Sequence, residues 1–87
     1  MDRNELRQML SEAFEAAKEE KIDPAKIQDA ANLRNDLGVD SLDVMEVVFE
    51  IEDRLNISIE EKDIKGVETV GQVLDMCERK LAEKKAS

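Results

Sequence analysis

The chain has 87 residues, a formal charge of −9, no His, Trp or Tyr, and only Phe14 and Phe49 as aromatics. A chain of this length is expected to form a single domain over residues 1–87 around an aliphatic core, without room for a large enclosed active site. Its acidity excludes nucleic acid and anionic membrane surfaces as main partners, because phosphate neutralisation needs clustered Lys and Arg.

Leu6, Met9, Leu10, Ala13, Phe14 and Ala17 recur at steps of three and four, which predicts a first helix over residues 3–20. Asp2 and Glu5 form a capping-box pattern at its start. Lys21-Ile22-Asp23-Pro24 ends it, since proline disfavours helix in the residue before it. From there to Asp40 no helical period is sustained. Ile22, Ile27, Leu33, Leu37 and Val39 read as single apolar anchors of a long connection, with a short helical turn near 24–28. A second helix is predicted over 41–56 and a short helical turn around 61–65. A final helix starts at Thr69, with Thr69 and Gln72 as capping box and Val70, Val73, Leu74, Cys77 and Leu81 as buried stripe. Lys80, Lys84 and Lys85 suit the negative end of its dipole, and residues 82–87 are expected to fray. The fold class is therefore all-α: a small four-helix bundle of three main helices and one short one, with a long first loop.

Cys77 has no second cysteine to pair with and packs as a small hydrophobe. The opening MDRNELRQML has no signal or transit character, and no apolar run approaches the roughly 18–20 residues of a membrane span. A cytoplasmic monomer is the expected setting.

Charge is concentrated in one region. Between Asp36 and Asp63 ten acids face only Arg54 and Lys62, so this segment carries −8 of the −9. On a wheel of roughly 100° per residue, Val44, Val47, Val48, Ile51 and Leu55 form the core face of the second helix. Leu42, Met45 and Phe49 fall on nearly the opposite side, beside Glu46, Glu52 and Asp53. Met45 and Phe49 are expected to stay accessible, while Leu42, in the first turn, is expected to tuck partly inward. An apolar strip rimmed by charge suits brief docking of another protein, although charge runs are also common as plain solvated faces.

Ser41 cannot act as a nucleophile within this chain. There is no His, no G-x-S-x-G elbow and no adjacent Lys to serve as base, so no catalytic residue is assigned. Two readings remain. Ser41 can cap the second helix, a role that Asp40 with Asp43 fills equally well. Alternatively it offers a hydroxyl at a helix N-terminus, where free N–H groups and the dipole favour a phosphate ester installed by another enzyme. Residues 36–43 lack the D-x-[DN]-x-[DN]-G calcium-loop pattern, so no metal ligands are assigned.

Asp36-Leu37-Gly38-Val39-Asp40-Ser41-Leu42-Asp43, followed by Glu46 and an aliphatic helix, closely resembles the acyl carrier protein family, whose attachment motif is D-S-L preceded by an L-G pair. The resemblance covers residues 5–81, most specifically 36–55. It implies a four-helix bundle with a short third helix and a carrier serving other enzymes. It implies that 4′-phosphopantetheine from coenzyme A is joined to Ser41 through a phosphodiester, with acyl groups held as thioesters. It also implies docking by Asp40, Leu42, Asp43, Met45, Glu46, Phe49, Glu52 and Asp53 on basic patches. The partners would be a phosphopantetheinyl transferase and acyl-processing enzymes such as ketosynthases and acyltransferases. An acyl pocket lined by Val44, Val48, Ile51, Ile59 and Val73 is suggested in addition. The loop Asn56-Ile57-Ser58-Ile59-Glu60 lacks the proline common in housekeeping members, Leu33 stands where many have Phe, and Phe49 where Met is frequent. The pathway thus stays open among fatty-acid, lipid-modifying and polyketide-type synthesis. An aminoacyl or peptidyl carrier domain and an unmodified acidic interaction module are the alternatives.

Overall fold

Asp2 Oδ1 accepts the Glu5 amide at 2.8 Å while the Glu5 carboxylate accepts the Asp2 amide at 3.4 Å, a reciprocal box that starts α1, Arg3–Lys18. The computed structural model describes residues 2–86. α1 stops at Glu19, whose left-handed backbone (φ 55°) breaks the helix before the approach to Pro24 can do so. A 3-10 turn at Pro24–Lys26 interrupts the connection to α2, Ser41–Leu55; the short α3, Glu61–Ile64, and α4, Val70–Ala86, follow. α4 continues through most of the stretch expected to fray, and Ser87 lies outside the described residues.

The core is aliphatic with one aromatic. Leu6, Leu10 and Phe14 of α1, Ile27 of the loop, Ile51 of α2 and Val70, Leu74 and Cys77 of α4 are all but fully enclosed. Full burial of an aliphatic or Phe side chain contributes about 1.5–3 kcal/mol, so these positions fix how the helices meet. Of the five apolar anchors in the connection, Ile27, Leu33, Leu37 and Val39 are buried and Ile22 is half-buried against the core.

Hydrogen bonds hold that connection in place over its long course. Asn32 Oδ1 accepts the amides of Arg34 (3.0 Å) and Asn35 (2.8 Å), and the Val39 amide reaches the Leu33 carbonyl at 2.8 Å. An isolated antiparallel bridge pairs Asn32 with Thr69, so the loop leans on the start of α4. Gly71 permits this approach: a Cβ there would lie 3.0 Å from the Asp29 carbonyl oxygen and 3.2 Å from its Cβ. Arg3 and Arg7 bind the Asp29 carboxylate from α1, which depresses the Asp29 carboxyl below its ordinary range, chiefly through Arg7.

α3 is a single turn with no buried residue, and ions hold it. Asp63 accepts from Lys80 Nζ at 2.8 Å and from Arg79 at 3.1 Å, and also takes the Glu60 amide at 2.9 Å. Thr69 and Gln72 cap α4 reciprocally: Gln72 Oε1 accepts the Thr69 amide at 3.0 Å and Thr69 Oγ1 accepts the Gln72 amide at 3.3 Å. Among the described residues no helix is long and apolar enough to cross a membrane.

Candidate functional site

The start of α2 is shaped by three residues that precede Ser41. Gly38 takes a left-handed backbone (φ 65°) that turns the chain. Val39 is buried and anchors the turn in the core. Asp40 is the N-cap: its Oδ1 accepts the Asp43 amide at 2.9 Å, and Asp43 Oδ2 accepts the Asp40 amide at 3.1 Å. The Asp43 amide, with the Asp43 side chain and Lys18 adding to it, holds the Asp40 carboxyl below its ordinary value.

This box takes the capping role away from Ser41. The serine is the first residue of the helix, exposed, and its hydroxyl makes no hydrogen bond among the described residues. It therefore presents an unencumbered oxygen where backbone N–H groups lack intrahelical partners, a setting that suits an attached phosphodiester. The residues present fit a phosphopantetheine arm in a second respect. A groove of about 510 Å³ runs between the loop before α2 and the turn after α3, lined by Leu33, Val39, Val44 and Val67 with Asn32, Arg34, Asn35 and Glu68 at its polar edge.

Those four apolar residues also line an inner cavity of about 50 Å³, whose other walls include Val47, Val48 and Ile51 of α2, Ile64 of α3, and Val73 and Met76 of α4. The structure thus brings Val44, Val48, Ile51 and Val73 to one cavity. Ile59 does not line it: it packs half-buried against the core elsewhere, held by its amide to Glu52 Oε2 at 2.8 Å. Ile64, Val67 and Met76 take its place. Met76 lies three residues after Val73 on α4, and that helical spacing is its signal in the sequence, whereas the wheel of the one-turn α3 gives Ile64 no direction and Val67 lies in the turn beyond it.

The outer stripe of α2 is open. Leu42 is 76% exposed, Phe49 60% and Met45 45%. The expected inward tuck of Leu42 is corrected by this exposure, because Val39 and Val44 already occupy the inward side of the first turn. The acids beside the stripe differ in their engagement. Glu46 and Asp53 are exposed and have no ion-pair partner among the described residues. Asp40 and Asp43 cap the helix, Asp43 also lies 3.5 Å from Lys18 Nζ, and Glu52 is half-buried on the Ile59 amide. Lys18, at the end of α1, carries no signal in the sequence, since nothing in the periodicity shows a lysine reaching a loop 20 residues away.

Cys77 is fully buried, and enclosure, with the Glu78 charge adding to it, pushes its thiol up to about 11. No cluster of His, Cys, Asp and Glu suited to a metal ion occurs among the described residues.

Residues 4–77 match the family described as "Phosphopantetheine attachment site". The chain is 46% identical over 63 residues to an acyl carrier protein of Amoebophilus asiaticus, covering 72% of this chain and 79% of that protein. It is 37% identical over 76 residues to one from Saccharopolyspora erythraea, covering 87% and 78%, and 32% identical over 60 residues to one from Thermotoga maritima, covering 69% and 74%. The chain therefore belongs to the acyl carrier protein family, carriers on 4′-phosphopantetheine that serve other enzymes and catalyse no reaction of their own.

Proposed function

We propose that Ser41 is the attachment point, and that the chain acts as a single cytoplasmic carrier domain presenting acyl groups to a series of enzymes. The observation that carries this reading is the unpartnered Ser41 hydroxyl at the first position of α2, relieved of capping by Asp40 and Asp43. In the attachment step Ser41 Oγ bonds to the phosphorus of the phosphopantetheine half of coenzyme A. The phosphoanhydride P–O bond breaks, and adenosine 3′,5′-bisphosphate leaves with the bonding electron pair. The serine proton passes to a base of the transferase, because this chain has no His to take it. Once attached, the arm supplies a thiol that holds acyl groups as thioesters.

The chain's own residues then divide the labour. Leu42, Met45 and Phe49 offer the apolar patch for a docking enzyme, and Glu46 and Asp53 steer basic partner surfaces toward it. These partners would be the phosphopantetheinyl transferase and acyl-processing enzymes such as ketosynthases and acyltransferases. The cavity walls of Val44, Val48, Ile51 and Val73 favour aliphatic cargo over an aminoacyl group, whose ammonium would have no hydrogen-bond partner there.

Incubation with coenzyme A and a phosphopantetheinyl transferase, followed by intact mass, tests the assignment. The expected result is one phosphopantetheine on the wild-type chain and none on Ser41→Ala. An unmodified wild-type chain, or an equally modified alanine variant, would overturn it.

A further inference from the structure

A single side chain connects α1 to the segment that presents Ser41. Lys18 Nζ donates to the Gly38 carbonyl at 2.7 Å and lies 3.5 Å from Asp43 Oδ2. Among the described residues no other donor reaches that carbonyl. The Lys18 and Asp43 side chains keep only 22% and 18% of their exposure, so the contact sits partly out of water, where a charge-assisted bond is stronger than on an open surface.

The two anchor points lie on either side of Ser41. Gly38 is where the chain turns in the left-handed region, and Asp43 is the residue whose carboxylate closes the capping box on Asp40. One cation therefore ties both ends of the segment 38–43 to the end of α1, leaving Ser41 itself untouched. We propose that Lys18 is a positioning residue for the modification of Ser41: it holds the 38–43 segment so that the hydroxyl meets the transferase in one orientation. Its charge also offsets the crowding of anions that a phosphodiester creates beside Asp40 and Asp43. This inference rests on Ser41 being the attachment point.

Lys18→Met keeps the aliphatic stem and removes both the charge and the donor; Lys18→Arg keeps them. Lys18 lies off the docking stripe, so binding to the transferase should be preserved while the oriented transfer step suffers. We expect kcat for phosphopantetheine transfer to Lys18→Met to fall roughly 10-fold with KM within about twofold, since small misplacement of a reacting group costs rate rather than affinity. Lys18→Arg should recover most of the loss. A kcat for Lys18→Met within twofold of wild type, or an equal fall in Lys18→Arg, would overturn the proposal. Amide hydrogen exchange on the unmodified proteins gives an independent measure that does not need Ser41 chemistry. The Asp40 and Asp43 amides should exchange faster in Lys18→Met while those of α4 keep their protection, and unchanged exchange at both would equally overturn it. A wild-type chain that takes no arm would instead refute the Ser41 assignment.

Discussion

The carboxylate of Glu52 accepts the backbone N–H of Ile59 at 2.8 Å, which joins the outer side of α2 to the loop leading into α3. A residue that sequence alone places among the docking acids thus serves the fold first. Glu46, earlier on the same helix, is exposed and unpaired among the described residues.

The two glutamates should therefore fail differently. Glu52→Ala leaves the half-buried Ile59 amide without its acceptor and should lower stability by about 1–2 kcal/mol in urea denaturation. Glu46→Lys should change stability by less than about 0.5 kcal/mol yet slow arm transfer, with the gap to wild type narrowing as salt screens the encounter. Equal transfer rates at low salt would remove the steering role of Glu46.

The tie between Asp63 and Lys80 sets a pH dependence for α3. Lys80 depresses the Asp63 carboxyl below its ordinary value, and Asp63 raises the Lys80 ammonium above its own. Asp63 then stabilises the fold above the usual carboxylate range of about 4 and loses that contribution as pH falls through its lower folded value. The Lys80 contribution is present below about 10.4 and disappears only as pH rises past its higher folded value. Asp63→Asn should lower the melting temperature at pH 7, and its deficit should shrink as pH drops below about 4. A deficit that persists unchanged in acid would show that charge is not what holds α3.

Ile51 is 1% exposed and lines the inner cavity. Ile51→Ala should cost about 2–5 kcal/mol by calorimetry. If aliphatic cargo occupies the cavity, loading a medium-length acyl group should raise the melting temperature of this variant more than that of wild type, because the chain refills the enlarged space. An equal rise in both would place the cargo elsewhere.

Gly38 holds a left-handed backbone, and a Cβ there would meet only Lys18 Nζ at 3.7 Å, an ordinary contact. The cost of Gly38→Ala is therefore conformational, about 1–2 kcal/mol in urea denaturation. A neutral result would mean that the segment relaxes without disturbing Lys18.

What the sequence makes legible here is whatever repeats or acts locally. The buried face of α1 and the three capping boxes follow from spacing alone, and Asp40 and Asp43 were recognisable as rivals of Ser41 for the cap. Interactions between distant segments were not legible. Lys18 reaches Gly38 across 20 residues, Glu52 reaches Ile59 through a turn, and both acts depend on how the helices pack rather than on period. Apolar character alone suggests Ile59 for the acyl pocket; in the structure its amide is held by Glu52 and it packs against the core outside the cavity wall. Leu42 looked able to fold inward only because the wheel says nothing of Val39, which lies before the helix begins.

The buried thiol of Cys77 bears on the fidelity of a thioester carrier. Acyl exchange requires a thiolate, and a group pushed up to about 11 is ionised in only about one molecule in ten thousand at neutral pH. The chain's one thiol is thus kept chemically silent, and a passenger held on the tether finds no second thiolate within the same chain onto which it can stray.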